Sequence, residues 1–396
     1  MNQERSAARL RWPVLAVFVL STTINYLDRA TLATLAPAVK TDFHLSNVGY
    51  GWIVNAFLVT YTLAAPFAGL LVDRIGLNFA ATLAVGMWSC AGIATGFTRG
   101  VAGLCACRAV LGVAEAAGIP AAGKAIHQYL KPAERALGNA ANQMAVSLGM
   151  VLAPPIATWI AVRSGWRHAF VVTGALGLLW IPVWLAVGRR SRPVVAAERP
   201  QAGPPITRDR RLWLFVLANA LSMIPYSLWV NFTTIYFVEA QHLTLVQAAW
   251  YTWIPPVLAA AGGLGGGWIS LRWIHFGLKP PAARRRVCLV SALLALVTAA
   301  VPAAPNPALA ALGISLSFFA VAAFSVNMYS LPLDVFGGSH AAFAVSFLTA
   351  SAGASGFVSP VFGWLIDRHG YAPVTSIAAL APLAACAVLY AARDTA

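Results

Sequence analysis

Twelve apolar runs of membrane length, parted by short polar breaks, leave this chain little choice of fold class. They cover roughly residues 12–38, 49–72, 77–97, 100–123, 136–162, 166–188, 211–238, 246–271, 287–304, 307–331, 341–366 and 372–392. About 20 apolar residues are needed for a helix to cross the hydrocarbon core. In lipid each segment must satisfy its own backbone hydrogen bonds, so each run reads as a transmembrane helix. Only 10% of the residues are charged, where a soluble domain carries about 25%. The formal charge of +15 would suit nucleic acid, but the basic residues lie in the breaks and not on an aromatic-interleaved face. The expectation is an all-α membrane protein with twelve transmembrane helices and no nucleic-acid partner.

The basic residues also set the orientation. If the N-terminus is cytoplasmic, Lys40, Arg99, Arg163, Arg167 and Arg368 fall in outside breaks, Arg29, Arg108 and Lys124 lie within runs, and all other Lys and Arg are inside. Both termini are then cytoplasmic. Residues 189–210 are polar, basic and Pro-rich, a linker composition that separates 1–188 from 211–396. The halves echo each other. Pro155, Trp159, Arg163, Gly165 and Trp166 recur with the same spacing as Pro360, Trp364, Arg368, Gly370 and Tyr371. Two pseudo-symmetric six-helix bundles joined by a cytoplasmic linker form an architecture that rocks around a midplane site.

Charges inside the runs mark that site, because they are costly in lipid unless they face a protein interior. Asn25, Asp28 and Arg29 fall at i, i+3 and i+4 of the first run and share one helix face. That face is expected to line a polar cavity, the competing reading being a structural ion pair between Asp28 and Arg29. Arg108 and Glu115 sit two turns apart on one face of the fourth run. The second half places no ionisable group at mid-helix depth. Its seventh run instead aligns Ser222, Tyr226, Trp229, Thr233 and Tyr236 in one stripe, with Asn327 and Thr349 adding polar groups. The division inferred is charge recognition in the first half and hydroxyl recognition in the second.

Gly69-Leu-Leu-Val-Asp73-Arg74-Ile-Gly76 resembles the GxxxDRxG signature of the major facilitator superfamily. Asn25-Tyr-Leu-Asp-Arg29, Arg108 through Glu115, Gly165-Trp-Arg-His-Ala-Phe170 and Leu331-Pro-Leu-Asp334 narrow the resemblance to its anion:cation symporter family. The resemblance implies proton-coupled symport of an organic anion, often a sugar acid, by alternating access in a bacterial inner membrane. By motif, Asp28 and Glu115 match the proton-linked carboxylates, Arg29 the arginine that meets the substrate carboxylate, and Tyr26 and Tyr61 cavity tyrosines. Asp73 and Arg74 are expected to latch one conformation. The sequence departs from the family in the second half, where Leu271 replaces the expected Asp and Phe232-Thr-Thr-Ile-Tyr236 replaces Trp-Leu-Pro-Lys-Tyr.

With both acids ionised, Asp28, Arg29, Arg108 and Glu115 sum to zero, and protonating one acid leaves +1, suited to a monoanion. Arg108 joins Arg29 as a substrate candidate because a guanidinium meets a carboxylate with two parallel bonds. No HExxH, P-loop or GxSxG is present, which argues against an enzyme. The five cysteines lack CxxC spacing and imply neither disulfide nor metal. No cofactor is expected beyond the proton as coupling ion, and the chain is expected to act as a monomer. A drug-efflux antiporter on the same fold is the alternative, with an intramembrane enzyme or non-transporting receptor further behind.

Overall fold

The computed structural model describes residues 2–131, 134–190, 207–336 and 338–391, and every regular element among them is helical. The chain runs through α1 (Asn2–Asp42), α2 (Asn47–Ile75), α3 (Leu77–Thr95), α4 (Val101–Glu115), α5 (Gly118–Tyr129), α6 (Arg135–Ser164) and α7 (Trp166–Arg190). It continues through α8 (Arg210–Ser222), α9 (Ile224–Ile235), α10 (Leu245–Thr252), α11 (Ile254–His275), α12 (Pro280–Ala295) and α13 (Val297–Ala300). The last elements are α14 (Pro307–Phe336), α15 (Gly338–Ala354), α16 (Ser359–His369) and α17 (Tyr371–Ala391). Among the described residues, 11 helical stretches are long and apolar enough to cross a membrane. The 41-residue α1 supplies the twelfth span, its apolarity lowered by Asn25, Asp28 and Arg29. Large apolar side chains such as Phe67, Trp250 and Leu264 stand 71%, 72% and 78% exposed, as expected where lipid is the solvent.

Several runs that read as continuous are broken in the structure. Between α4 and α5 the break falls at Ala116–Ala117, four residues before Pro120, whose missing N–H leaves the Ala116 carbonyl without its i+4 donor. Pro225 just inside α9 and Pro255 and Pro256 just inside α11 accompany two further breaks, and the runs 287–304 and 341–366 are interrupted between α12 and α13 and between α15 and α16. The first break places Glu115 at the last residue of α4.

Contacts divide the chain into two compact units, Met1–Phe43 with Ala56–Pro200 and His44–Asn55 with Gln201–Ala396. Within the first, α1 packs mainly on α6 and α3 mainly on α7. Glycines let the site-bearing helices approach: a Cβ at Gly149 of α6 would lie 2.4 Å from the Thr23 carbonyl of α1. One at Gly112 of α4 would lie 2.4 Å from the Phe57 carbonyl of α2. Stacked Trp180 and Trp184 close the α7 side, with Trp180 Nε1 donating to the Val17 carbonyl at 2.6 Å.

Within the second unit α14 is the central helix, packed on α11 and α12, while α8 lies against α17. At its start Asp209 caps α8, accepting from the Arg211 amide at 2.8 Å. The Arg211 side chain beside it holds that carboxyl below its usual range. The linker expected over 189–210 falls, for 191–206, outside the described residues.

A linker-based division puts all of the second helix in the first half, yet His44–Asn55 belongs to the second unit. The reason is visible at the N-terminus of α2, whose first amides have no intrahelical acceptor. Asp367 at the end of α16 accepts from the Asn47 amide (3.1 Å), the Asn47 side chain (2.8 Å) and the Val48 amide (3.1 Å). Ser46 Oγ takes the Gly49 amide at 3.1 Å. Gly363 permits the approach, since a Cβ there would lie 2.2 Å from the Asn47 carbonyl. Asp367 belongs to Gly363-Trp-Leu-Ile-Asp367-Arg368-His-Gly370, a second copy of the 69–76 octet pattern. Both octets end on a glycine with positive φ, 83° at Gly76 and 73° at Gly370.

Because its carboxylate also meets the positive end of a helix dipole, Asp367 should contribute about 1 kcal/mol. Asp367→Asn is expected to lower the Tm of the detergent-solubilised protein by a few degrees. Asp73→Asn in the other octet, where the carboxylate caps no helix, should leave Tm within about 1 °C. Equal shifts for the two variants would contradict this assignment.

Candidate functional site

The charged residues of α1 and α4 meet inside the first unit, but not in the pairing their sequence neighbourhood suggests. Arg29 turns away from Asp28 and grips Glu115, donating to its Oε2 from Nε at 2.9 Å and from Nη2 at 2.6 Å. Glu115 is wholly buried, whereas the Arg29 side chain keeps 29% of its surface open. Adjacent residues on a helix point about 100° apart, so Arg29 can face α4 while Asp28 faces elsewhere. Asp28 accepts from Thr173 Oγ1 of α7 at 2.7 Å. The Asp28–Arg29 ion pair considered from sequence does not form.

Three aromatic rings surround the Arg29 guanidinium. Its central carbon lies 4.8 Å from the Tyr26 ring centre, 4.8 Å from Phe57 and 5.1 Å from Tyr61. Phe57 and Tyr61, one turn apart on α2, are themselves stacked at 5.6 Å. Such a cage attracts the cation through the ring faces and holds it in place.

This group forms one wall of a cavity of about 190 Å³. Ser21, Thr22, Asn25, Tyr26 and Arg29 of α1 line it together with Tyr61, Glu115, and Asn142 and Gln143 of α6. Thr22 Oγ1 donates to Asn142 Oδ1 at 2.8 Å. The rest of the lining includes small and apolar residues of α3 and α5, among them Ala81, Ala84, Trp88, Gly118, Ala121 and Ala122. Part of the lining offers charge and hydrogen bonds, and part offers space.

Two of the expected charges stand outside the cavity wall. Asp28 is 2% exposed and Arg108 3%. Arg108 stacks over Phe170 at 5.3 Å and acts electrostatically on both Asp28 and Glu115. The shared face of Asn25, Asp28 and Arg29 therefore splits: Asn25 and Arg29 line the cavity while Asp28 is sealed against α7. Each acid has one buried oxygen that accepts no hydrogen bond, Oδ2 of Asp28 and Oε1 of Glu115. A carboxylate with one oxygen lacking any protein donor is costly while charged, which favours its protonated form.

The second-unit candidates are occupied with their own surroundings. Trp229 is fully buried and packs edge-on against Tyr236, and Tyr226 meets Phe318 at 5.3 Å. Asn327 donates to the carbonyls of Gly266 and Ala323, and Thr349 to that of Val345. Asp73 pairs with Lys124 at 3.0 Å, and Lys124 also donates to the Val72 carbonyl at 2.8 Å. Arg74 lies exposed in the last turn of α2. Sequence reasoning missed Phe57, Thr22, Asn142 and Gln143. Asn142 and Gln143 carried a signal, being adjacent polar residues near the start of an apolar run.

The sequence model of the Major Facilitator Superfamily matches residues 18–348. The chain is 27% identical to the hexuronate transporter of Escherichia coli K12, with 98% of this chain and 94% of that one aligned. It is 29% identical to the probable sulfoacetate transporter of Cupriavidus necator, over 91% and 89% of the two chains. Its fold superposes with a TM-score of 0.82 on the crystal structure of a bacterial homolog of the human lysosomal transporter Spinster. Identity there is 20%, over 98% and 97% of the chains. With twelve spans, a buried charge set and a family match over most of its length, the chain is a multi-pass membrane transporter belonging to the Major Facilitator Superfamily.

Proposed function

We propose that this transporter carries an organic monoanion of the sugar-acid class in symport with a proton, by alternating access. The observation that carries the proposal is the Arg29–Glu115 pair in the wall of the cavity. While Glu115 is ionised it occupies both donors of the Arg29 fork that contact it. A substrate carboxylate must compete for them. Protonation of Glu115 at Oε1 removes the competing charge and frees the guanidinium for the incoming anion. Release of the anion returns Arg29 to Glu115 and favours loss of the proton. Anion and proton binding then support each other, as linkage requires.

The rest of the wall suits a polyol acid. Thr22, Asn25, Asn142 and Gln143 present hydroxyl and amide groups, and these can meet substrate hydroxyls beside the carboxylate. The relative named for hexuronate, a monoanionic sugar acid, supports this class. A cavity of about 190 Å³ is smaller than the roughly 300–1,000 Å³ of drug-sized sites, which disfavours the efflux alternative. Asp73 and Arg74 act in this reading as a conformational latch outside the cavity, anchored through Lys124. The chain works as a monomer in a bacterial inner membrane, with both termini cytoplasmic and no cofactor but the coupling proton.

Three measurements test the reading. Proteoliposomes should accumulate D-glucuronate or D-galactonate only with an inward proton gradient, and gradient-independent accumulation would refute symport. Arg29→Lys keeps the charge but loses the fork and the fit to the aromatic cage. Its KM for uptake should rise about tenfold or more, equivalent to about 1.4 kcal/mol, and an unchanged KM would remove Arg29 from substrate contact. Glu115→Gln mimics the protonated acid, so counterflow of labelled anion should persist while gradient-driven accumulation is lost. Continued accumulation in Glu115→Gln would move the proton to another group.

A further inference from the structure

Asp28 contributes no atom to the cavity wall, and its partner comes from an element that sequence reasoning gave no part in the site. We infer that Thr173 is a positioning residue whose hydroxyl accommodates both the ionised and the protonated form of Asp28 inside a closed socket. The inference deepens the proton-coupled reading above and rests on it.

The socket is closed on all described sides. Asp28 is 2% exposed and Thr173 0%. Thr173 Oγ1 lies 2.7 Å from Asp28 Oδ1 and 3.4 Å from the Phe170 carbonyl of its own helix. Gly92 of α3 makes room for the other oxygen, since a Cβ there would stand 2.8 Å from Oδ2 and 3.4 Å from Oδ1. Oδ2 is buried and accepts no hydrogen bond. The charged groups acting on the carboxylate are Arg108 and Glu115 of α4, while neighbouring Arg29 of α1 is held by Glu115 at 2.6 Å. From α3 and α7 it meets Gly92 and Thr173, neither of which titrates.

A hydroxyl has one proton to donate and two lone pairs to accept with. With Asp28 ionised, Thr173 gives its proton to Oδ1. Once Asp28 takes up a proton on Oδ1, that O–H can donate to Thr173 Oγ1. The Thr173 proton then swings to the Phe170 carbonyl, which already lies beside it. No heavy atom needs to move and no new water needs to enter. A proton arrives from solvent on one side of the cycle and leaves to solvent on the other, with no other bond made or broken. Valine has nearly the same shape as threonine but can serve neither state.

The test uses the full-length protein in proteoliposomes, with labelled D-glucuronate as the probe and counterflow recorded against pH. Counterflow needs the protonated carrier, so in the wild type it should decline as pH rises. Thr173→Val removes a donor from the ionised form, and the decline should move to higher pH by about one unit. Thr173→Ala covers a failure of valine to pack and carries the same expectation. Thr173→Ser keeps the hydroxyl and should restore the wild-type profile. In Asp28→Asn the adjacent group no longer titrates, so adding Thr173→Val should shift nothing further. An unmoved Thr173→Val profile, a serine variant that behaves like valine, or a shift that survives in the Asp28→Asn background would each overturn the inference. If the wild type itself ignores a proton gradient, the coupling reading fails and this inference falls with it. A gradient-dependent wild type with an unmoved Thr173→Val sinks the inference alone.

Discussion

The buried pair between Arg29 and Glu115 is the interaction on which the rest of the first unit depends. Each partner alone would be very costly at membrane depth, because a charge without a counter-charge has nothing to replace its hydration. The surrounding structure is arranged to make the pair possible. Gly149 and Gly112 bring α6 and α4 close to α1 and α2, the Pro120 break ends α4 on Glu115, and three aromatic rings keep the guanidinium from swinging free. Asp28 and Arg108 balance the set in a second layer, so that the charges sum to zero when both acids are ionised. A neutral set can sit in the membrane at rest, yet it becomes cationic as soon as one proton is taken up.

The two acids answer to different surroundings. Glu115 shares its charge with a cation that faces an open cavity, so its protonation is tied to whatever enters that cavity. Asp28 is sealed away from it, with a hydroxyl and a glycine against it and Arg108 acting on its charge. Two carboxylates one layer apart can therefore serve one transport cycle without being interchangeable. Their separation follows from helix geometry, since adjacent positions on α1 point into different interfaces.

Much of this was legible in the sequence, and the parts that were not share a physical cause. Runs of membrane length identify spans because lipid imposes a single solution on the backbone. Arg29 and Glu115 could be picked out because a charge in such a run needs a reason. Their pairing could not, since sequence spacing on one helix says nothing about which neighbour a side chain meets across a gap. The same limit applies to Phe57, which becomes part of the cage only once α2 is packed on α1. It applies as well to the second unit, where the fold buries Trp229 of α9 and Asn327 of α14 donates to two backbone carbonyls. Prolines accompany several of the breaks that a hydropathy window smooths over. The repeated octet ending in Asp367-Arg368-His-Gly370 was plain in the letters, but only the α2 terminus shows what its carboxylate holds.

The alanine-rich lining of the cavity and the charge set are carried by different helices. Charge comes from α1 and α4; the size of the space comes from what is missing on α3 and α5, at Ala81, Ala84, Gly118, Ala121 and Ala122. Adding one or two methylenes at such a position would reshape the ligand space without touching an ionisable group. Mutation can then explore cargo of different bulk while the proton chemistry stays fixed. In evolutionary terms, substrate range and energy coupling are separable traits in this fold, free to drift at different rates along the same chain.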